Sequence, residues 1–281
     1  MNETIQKFFA VLRAARAIVI GAGAGFSTAA GYTYSGARFQ KHFADFESKY
    51  GFHDMYSGGF YPYETPEEFW AYWSRNIMCN RYDLPPSPLH GKLLELVRGK
   101  EYFVLTTNVD HLFQLNGFDK HRLFYTQGDF GLFQCSVPCH QKTYDNEEVI
   151  REMIARQKDM RIPSELIPKC PKCGEPMTMN LRADDRFVED SGWHQASYRY
   201  QKFLARHKHD LGVLLELGVG GNTPGIIKFP FWMMTYENPN VTYISINMGE
   251  AEAPKQILDR SILINDDIAK IFLAGENHEQ K

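Results

Sequence analysis

Short, mostly continuous apolar runs recur along the chain at 17–20, 102–105, 123–125, 213–217, 241–246 and 262–264. A strand with one face in water alternates apolar and polar residues; a strand covered on both faces does not, so these runs read as buried strands. Helical spacing fills several of the gaps, as with Leu89, Leu93, Leu94, Leu96 and Val97 before the second run and 198–204 before the fourth. Repeated strand–helix alternation predicts an α/β protein built on a Rossmann-type, doubly wound parallel sheet. Ile5, Phe8, Phe9 and Leu12 recur at helical spacing behind Asn2, an N-cap type. The first fifteen residues therefore read as an amphipathic helix entering the first strand, and not as a secretory leader, although Arg13 and Arg16 precede an apolar stretch. The expectation from this pattern is a cytoplasmic protein.

Two intervals break the alternation. Residues 37–83 are rich in Phe, Tyr and Trp and carry Gly58, Gly59, Pro62 and Pro66, which suggests a helical or irregular insertion. Residues 135–185 are bracketed by cysteines and hold an acidic-to-basic helix near 146–158. The expected division is a nucleotide-binding domain of 1–36, 84–134 and 186–281, a helical/aromatic insertion of 37–83 and a zinc-binding insertion of 135–185. The aromatic segment from Phe39 to Trp73 reads as packing and as cover for the pocket.

The 281 residues include 43% hydrophobic types, ample for a buried core. A formal charge of −3 argues against a broad basic face for nucleic acid, and no run approaches the roughly 20 apolar residues of a membrane span. Of five cysteines, Cys135 and Cys139 form C-x3-C, and Cys170 and Cys173 form C-x2-C within a Pro/Gly knuckle. Two close pairs have the form of tetrahedral zinc ligation, in which the short spacing turns two thiolates toward one ion. Four thiolates leave no position for water, so the expected zinc-ribbon insertion is a structural staple. Cys79 reads as an ordinary buried thiol.

Candidate chemistry gathers where the runs end. The first closes on Gly23, Ala24, Gly25, Phe26 and Ser27, and glycines at a strand-to-helix turn let backbone N–H groups approach a pyrophosphate. Asp45 and Glu47 lie about twenty positions on but follow no second strand, so the dehydrogenase fingerprint is incomplete. The second run leads into Thr106-Thr107-Asn108-Val109-Asp110-His111. Asn108 and Asp110 either hold a nicotinamide amide and a ribose hydroxyl or start a helix, as N-cap and first-turn acid. Gln127 follows the third run, Gly218, Val219 and Gly220 follow the fourth, and Asn247 and Met248 follow the fifth.

In their order these segments resemble the sirtuin family, with its GAG-I-S-x-x-S-G turn, TQNID segment, HGS segment before the first zinc cysteines, second C-x2-C pair, GTS loop and an Asn closing an I-N strand. The matching residues span 18 to 247, and Pro88 and His90 fit as well. The departures are informative. Gln127 stands where the deacylase His belongs, Thr107 replaces the Gln of TQNID, and Thr33-Tyr34 replaces a Pro-Asp. The cofactor-loop Arg has only Arg38 as a candidate, and a charged 181–187 stretch replaces the apolar peptide-pairing strand. A Gln has no titratable group near neutrality and cannot act as the base of deacylation.

This pattern is similar to the macrodomain-linked microbial sirtuins, class M. The resemblance implies mono-ADP-ribosylation of a protein from NAD, a lipoylated glycine-cleavage-H-like carrier protein as acceptor, and a macrodomain hydrolase that reverses the mark. It also implies that Asn108 orients the nicotinamide ribose, that Asp110 holds the carboxamide, and that Gln127 contacts ribose or acceptor as a neutral group. Bonds to NAD are expected from Gly23 to Ser27, Gly218 to Gly220, Asn247 and Met248. The alternatives are a lysine deacylase or NAD glycohydrolase, and a non-catalytic NAD sensor.

Overall fold

The structure, a computed structural model, describes residues 3–221 and 224–273. The expected cap at Asn2 and the loop residues Asn222 and Thr223 lie outside them. Along the chain run α1 (Glu3–Ala14), β1 (Ala17–Ala22), α2 (Ala24–Ala29), α3 (Gly36–Tyr50), α4 (Met55–Gly59), α5 (Pro66–Ile77), α6 (Pro88–Val97), β2 (Glu101–Thr106), α7 (Leu112–Leu115), β3 (Leu123–Tyr125), β4 (Gly128–Cys135), β5 (Tyr144–Asp145), α8 (Glu147–Arg156), β6 (Met177–Leu181), α9 (Ser191–Arg206), β7 (Leu211–Leu217), α10 (Lys228–Glu237), β8 (Thr242–Ile246), β9 (Ser261–Ile264) and α11 (Ile268–Leu273). No helix among the described residues is long and apolar enough to cross a membrane.

The six apolar runs are the six strands of one sheet, in the order β3-β2-β1-β7-β8-β9, and every pairing is parallel. Their lack of alternation has the expected cause. Along β1, Ile18, Ile20 and Ala22 pack into the core beneath α1, α6 and α11, while Ala17 and Val19 pack into the opposite core with Phe203 and Phe231. Successive side chains go to opposite faces, and both faces are covered.

The two insertions are structured and share one core. Phe39, Phe43, Phe46 and Tyr72 of the aromatic insertion lie in the same buried cluster as Phe130, Phe133, Met177 and Met179, with Trp70 edge-on to Phe133 at 5.0 Å between centroids. Within that insertion Thr65 caps α5, its Oγ1 accepting from Glu68 N, and Pro66 opens the first turn. The cysteine-bracketed interval contains the expected helix as α8, with Glu147 and Glu148 in its first turn and Arg156 in its last. Around it lies a three-stranded antiparallel sheet, β5-β4-β6, that the apolar pattern did not announce. Strand β4 begins at Gly128 and runs through Cys135, so the division drawn after 134 falls inside a strand.

Candidate active site

The parallel sheet brings the ends of β1 and β2 side by side, with Ala22 paired to Thr106. Thr106 Oγ1 donates to Ala22 O at 2.9 Å and accepts from Asn108 N at 3.0 Å, and Thr107 N donates to Ala22 O at 3.1 Å. These bonds turn the chain after β2 across the mouth of the glycine turn. Asn108 does not cap a helix; its Nδ2 donates to Gly23 O at 2.9 Å and to Ser27 Oγ at 3.0 Å. Ser27 Oγ in turn donates to Asp110 Oδ2 at 2.5 Å. Asp110 also accepts from Leu112 N at 3.0 Å, but it precedes the α7 N-cap His111 and is not in the first turn of that helix. Burial holds the Asp110 carboxyl above the usual carboxylate range, the Ser27 bond pulls it down, and the charge of Asp129 pushes it up.

Ala24, Ser27, Thr28, Thr107, Asn108, Val109 and Asp110 line a cavity of about 230 Å³, closed on its other side by Tyr32, Tyr34, Asn80 and Leu84. The lining is neutral apart from Asp110 and mixes aromatic, amide and hydroxyl groups, which suits a small aromatic amide better than a charged group. The volume holds one end of a dinucleotide and not the whole. Asn80, near the far end of the aromatic insertion, and Leu84, just after it, were missed in the sequence. Helix α5 continues as a π-helical turn over Met78–Tyr82, which carries Asn80 to the wall. Arg38 holds it there, donating to Asn80 Oδ1 at 2.7 Å and to Cys79 O at 2.5 Å. Arg38 thus acts on the wall through Asn80; its charge was the legible signal, and the pairing was not. Cys79 is buried and its thiol is pushed up to about 11 by that burial, as an ordinary core thiol should be.

The glycines are explained first by loop packing. Gly218 adopts φ +59°, and a Cβ there would lie 2.3 Å from Phe26 N; a Cβ on Gly23 or Gly25 would meet Gly218 at 2.6 and 2.8 Å. Gly25 N donates to Gly218 O at 2.9 Å, so the loops after β1 and β7 interlock. Asn247 Nδ2 ties the end of β8 to the same loop through Val219 O at 3.1 Å, and its Oδ1 accepts from Met248 N at 3.0 Å. Phe26 and Val219 are buried with their side chains in the core, while Met248 is exposed, as is Gly220. At these positions it is backbone, not side chain, that the Phe26 and Val219 segments offer to a ligand. Gln127 does not line the cavity. It lies half-buried at the start of β4, with its carbonyl accepting from Arg182 N at 3.1 Å, and the next residue, Gly128, takes φ +96° where a Cβ would meet Asn180 O.

The four sequence-paired cysteines converge. The sulfurs of Cys135, Cys139, Cys170 and Cys173 all lie within 4.8 Å of one another, with Cys135–Cys173 at 3.5 Å and Cys139–Cys170 at 3.7 Å. A tetrahedral ion with Zn–S bonds of about 2.3 Å separates its sulfurs by about 3.8 Å, so the cluster fits a structural zinc. All five cysteines are free of disulfides. The knuckle is shaped by Gly174 N donating to Cys170 O at 2.9 Å, with Gly174 at φ +79°. The cluster pins one end of the β4–β6 pair, whose other end lies at Gln127.

Comparison with known proteins gives a consistent result. The Sir2 family profile matches residues 23–191. A protein ADP-ribosyltransferase of Staphylococcus aureus is 43% identical over 259 residues, covering 92% of this chain and 82% of that protein. A probable bifunctional ADP-ribose hydrolase/ADP-ribosyltransferase of Fusarium oxysporum f. sp. cubense is 32% identical over 92% of this chain, which spans 45% of that longer protein. Among solved structures, Sir2Tm bound to a propionylated peptide superposes with a TM-score of 0.62 at 21% identity, covering 97% of both chains, and shares the fold.

Proposed function

Because the chain belongs to the Sir2 family, we propose that it is an NAD-dependent protein mono-ADP-ribosyltransferase, releasing nicotinamide and joining ADP-ribose to a protein side chain. The observation that carries this reading is the Ser27–Asn108–Asp110 chain at the cavity wall, taken with a neutral Gln127, outside that wall, at the sequence position where the resemblance expects a deacylase His. The groups suited to nicotinamide release are kept, and the base suited to deacylation is gone. The similarity to the S. aureus transferase supports the same choice.

NAD supplies an ADP-ribosyl group whose bond to nicotinamide breaks with the electron pair leaving on the pyridine nitrogen. In this reading Asp110 accepts a hydrogen bond from the carboxamide and Asn108 orients the adjoining ribose. Polar groups oriented at the cavity wall favour the positive charge that develops at the anomeric carbon. The backbone of Gly23 to Ser27 and of Gly218 to Gly220, with Asn247 and Met248 at the neighbouring strand end, holds the pyrophosphate and adenosine side. Gln127 contributes a hydrogen bond without taking a proton. A carboxylate acceptor is already ionised at neutral pH and attacks without a base.

We further propose a lipoylated glycine-cleavage-H-like carrier protein as the acceptor, a macrodomain hydrolase as the enzyme that removes the mark, and a cytoplasmic location. The bifunctional name of the Fusarium relative supports pairing a hydrolase with the transferase. The test is intact-mass analysis of lipoylated and unlipoylated carrier after incubation with enzyme and NAD. Addition of one ADP-ribose to the lipoylated form is expected. Absence of any addition, with NAD binding established by calorimetry, rejects the proposal.

A further inference from the structure

His111, directly after Asp110, has φ +65°. This left-handed conformation is comfortable for glycine and uncommon for other residues, with Asn, Asp and His adopting it more often than most. A side chain is held in it where the surroundings fix it. Here the surroundings are specific. His111 Nδ1 lies 2.7 Å from Asp129 Oδ2, and Asp129 is only 5% exposed. The other oxygen of Asp129 accepts from Arg81 Nε at 2.8 Å and from Gly131 N at 2.7 Å. Burial pushes the Asp129 carboxyl up, but the bonds from His111 and Arg81 outweigh it and hold the group below the usual range. An ionised Asp129 accepts, so Nδ1 of His111 carries the proton and donates.

Three parts of the molecule meet in this clasp. Arg81 sits on the π-helical turn that also carries Asn80 to the cavity wall. Asp129 is the second residue of β4, two positions after Gln127 and on the strand that ends in Cys135. His111 belongs to the loop that presents Asn108 and Asp110, and Val109 O in the same loop accepts from Phe130 N at 2.9 Å. The loop is thus pinned to β4 by one main-chain bond and one side-chain bond, either side of Asp110.

We propose that His111 is a positioning residue for ADP-ribosyl transfer: clasped by Asp129, it holds Asp110 at the cavity wall and keeps the site in register with the zinc-bearing sheet. This rests on the function proposed above. Glycine also suits this backbone, and what the imidazole adds is its bond to Asp129.

That distinction supplies the test, on the full-length protein. His111→Gly suits the backbone and removes the clasp; His111→Asn tolerates the left-handed conformation and places an amide N–H near the position of Nδ1. The readouts are nicotinamide release from NAD with the lipoylated carrier as probe, melting temperature, and amide hydrogen exchange over 108–112. His111→Gly is expected to remain folded, to exchange faster over 108–112, and to lose about 10- to 100-fold in kcat with a smaller change in KM for NAD. His111→Asn is expected to restore protection and most of the rate. A His111→Gly variant with parental rate and exchange overturns the proposal. If the parent itself releases no nicotinamide, the transferase reading falls, and exchange over 108–112 still decides whether the clasp holds the loop.

Discussion

Ser27 Oγ and Asp110 Oδ2 are 2.5 Å apart although 83 residues separate them in the chain. Asn108 completes the relay by donating to the same hydroxyl at 3.0 Å. One hydroxyl therefore orients both groups that the proposed chemistry needs. It accepts from the carboxamide and donates to the carboxylate, leaving neither free to rotate.

Ser27→Ala removes the side-chain bond that lowers Asp110, while burial still raises it. The carboxyl then titrates at higher pH. The ionised form, which exists above that pKa, accepts a carboxamide N–H more strongly than the neutral one, so the acid limb of the rate profile should move to higher pH. Nicotinamide release at neutral pH should fall by about 10-fold or more as Asn108 also loses its partner. A pH series of initial rates for parent and variant checks both outcomes.

Gly218→Ala puts a methyl group 2.3 Å from Phe26 N in a left-handed backbone. The neighbours are main chain and cannot turn aside. A loss of about 2 kcal/mol or more in unfolding free energy is expected, with weaker NAD binding because the loops after β1 and β7 must separate. Urea denaturation and calorimetry measure the two effects.

Zinc removal should act on one part of the molecule first. Chelation after mild thiol modification, or Cys135→Ser, unties the end of β4 and β6 and exposes the core in which Trp70 meets Phe133. Hydrogen exchange should rise over 128–181 while β1, β2 and β7 stay protected, and one zinc per chain should be released.

His90 is wholly buried, bonded to Ser87 through Nδ1 at 3.0 Å and packed 4.5 Å from Phe26. Burial pushes it down to about 3 from 6.5. Between these values the unfolded chain binds a proton that the folded chain refuses. Stability from this group is therefore complete above pH 6.5 and is lost as pH falls toward 3, at up to about 1.4 kcal/mol per pH unit. His90→Leu should flatten that slope in denaturation series between pH 4 and 7, a window set by the His90 shift.

The parallel sheet was legible in advance because burial on both faces writes an unbroken apolar run, and all six runs became its strands. The cysteine cluster was legible because each pair is local: a short loop between two thiols already turns them together. The sheet β5-β4-β6 was not. Gly128–Cys135 carries Asp129 and Gln134 among its buried residues, each satisfied by a distant partner, so its apolar pattern is interrupted.

The strand ends and their Gly, Asn, Asp and Ser residues could be read one by one, since periodicity and turn chemistry act over a few positions. Which of them share a wall could not. Asn80 reaches the cavity through a π-helical turn and Arg38, Gly218 owes its conformation to Phe26, and Asp110 is held through Ser27 on one side and His111 on the other. These contacts join segments tens of residues apart, and their distances depend on how three cores and two sheets pack. Local sequence specifies the chemistry a residue carries, but only the packed chain specifies which group it meets.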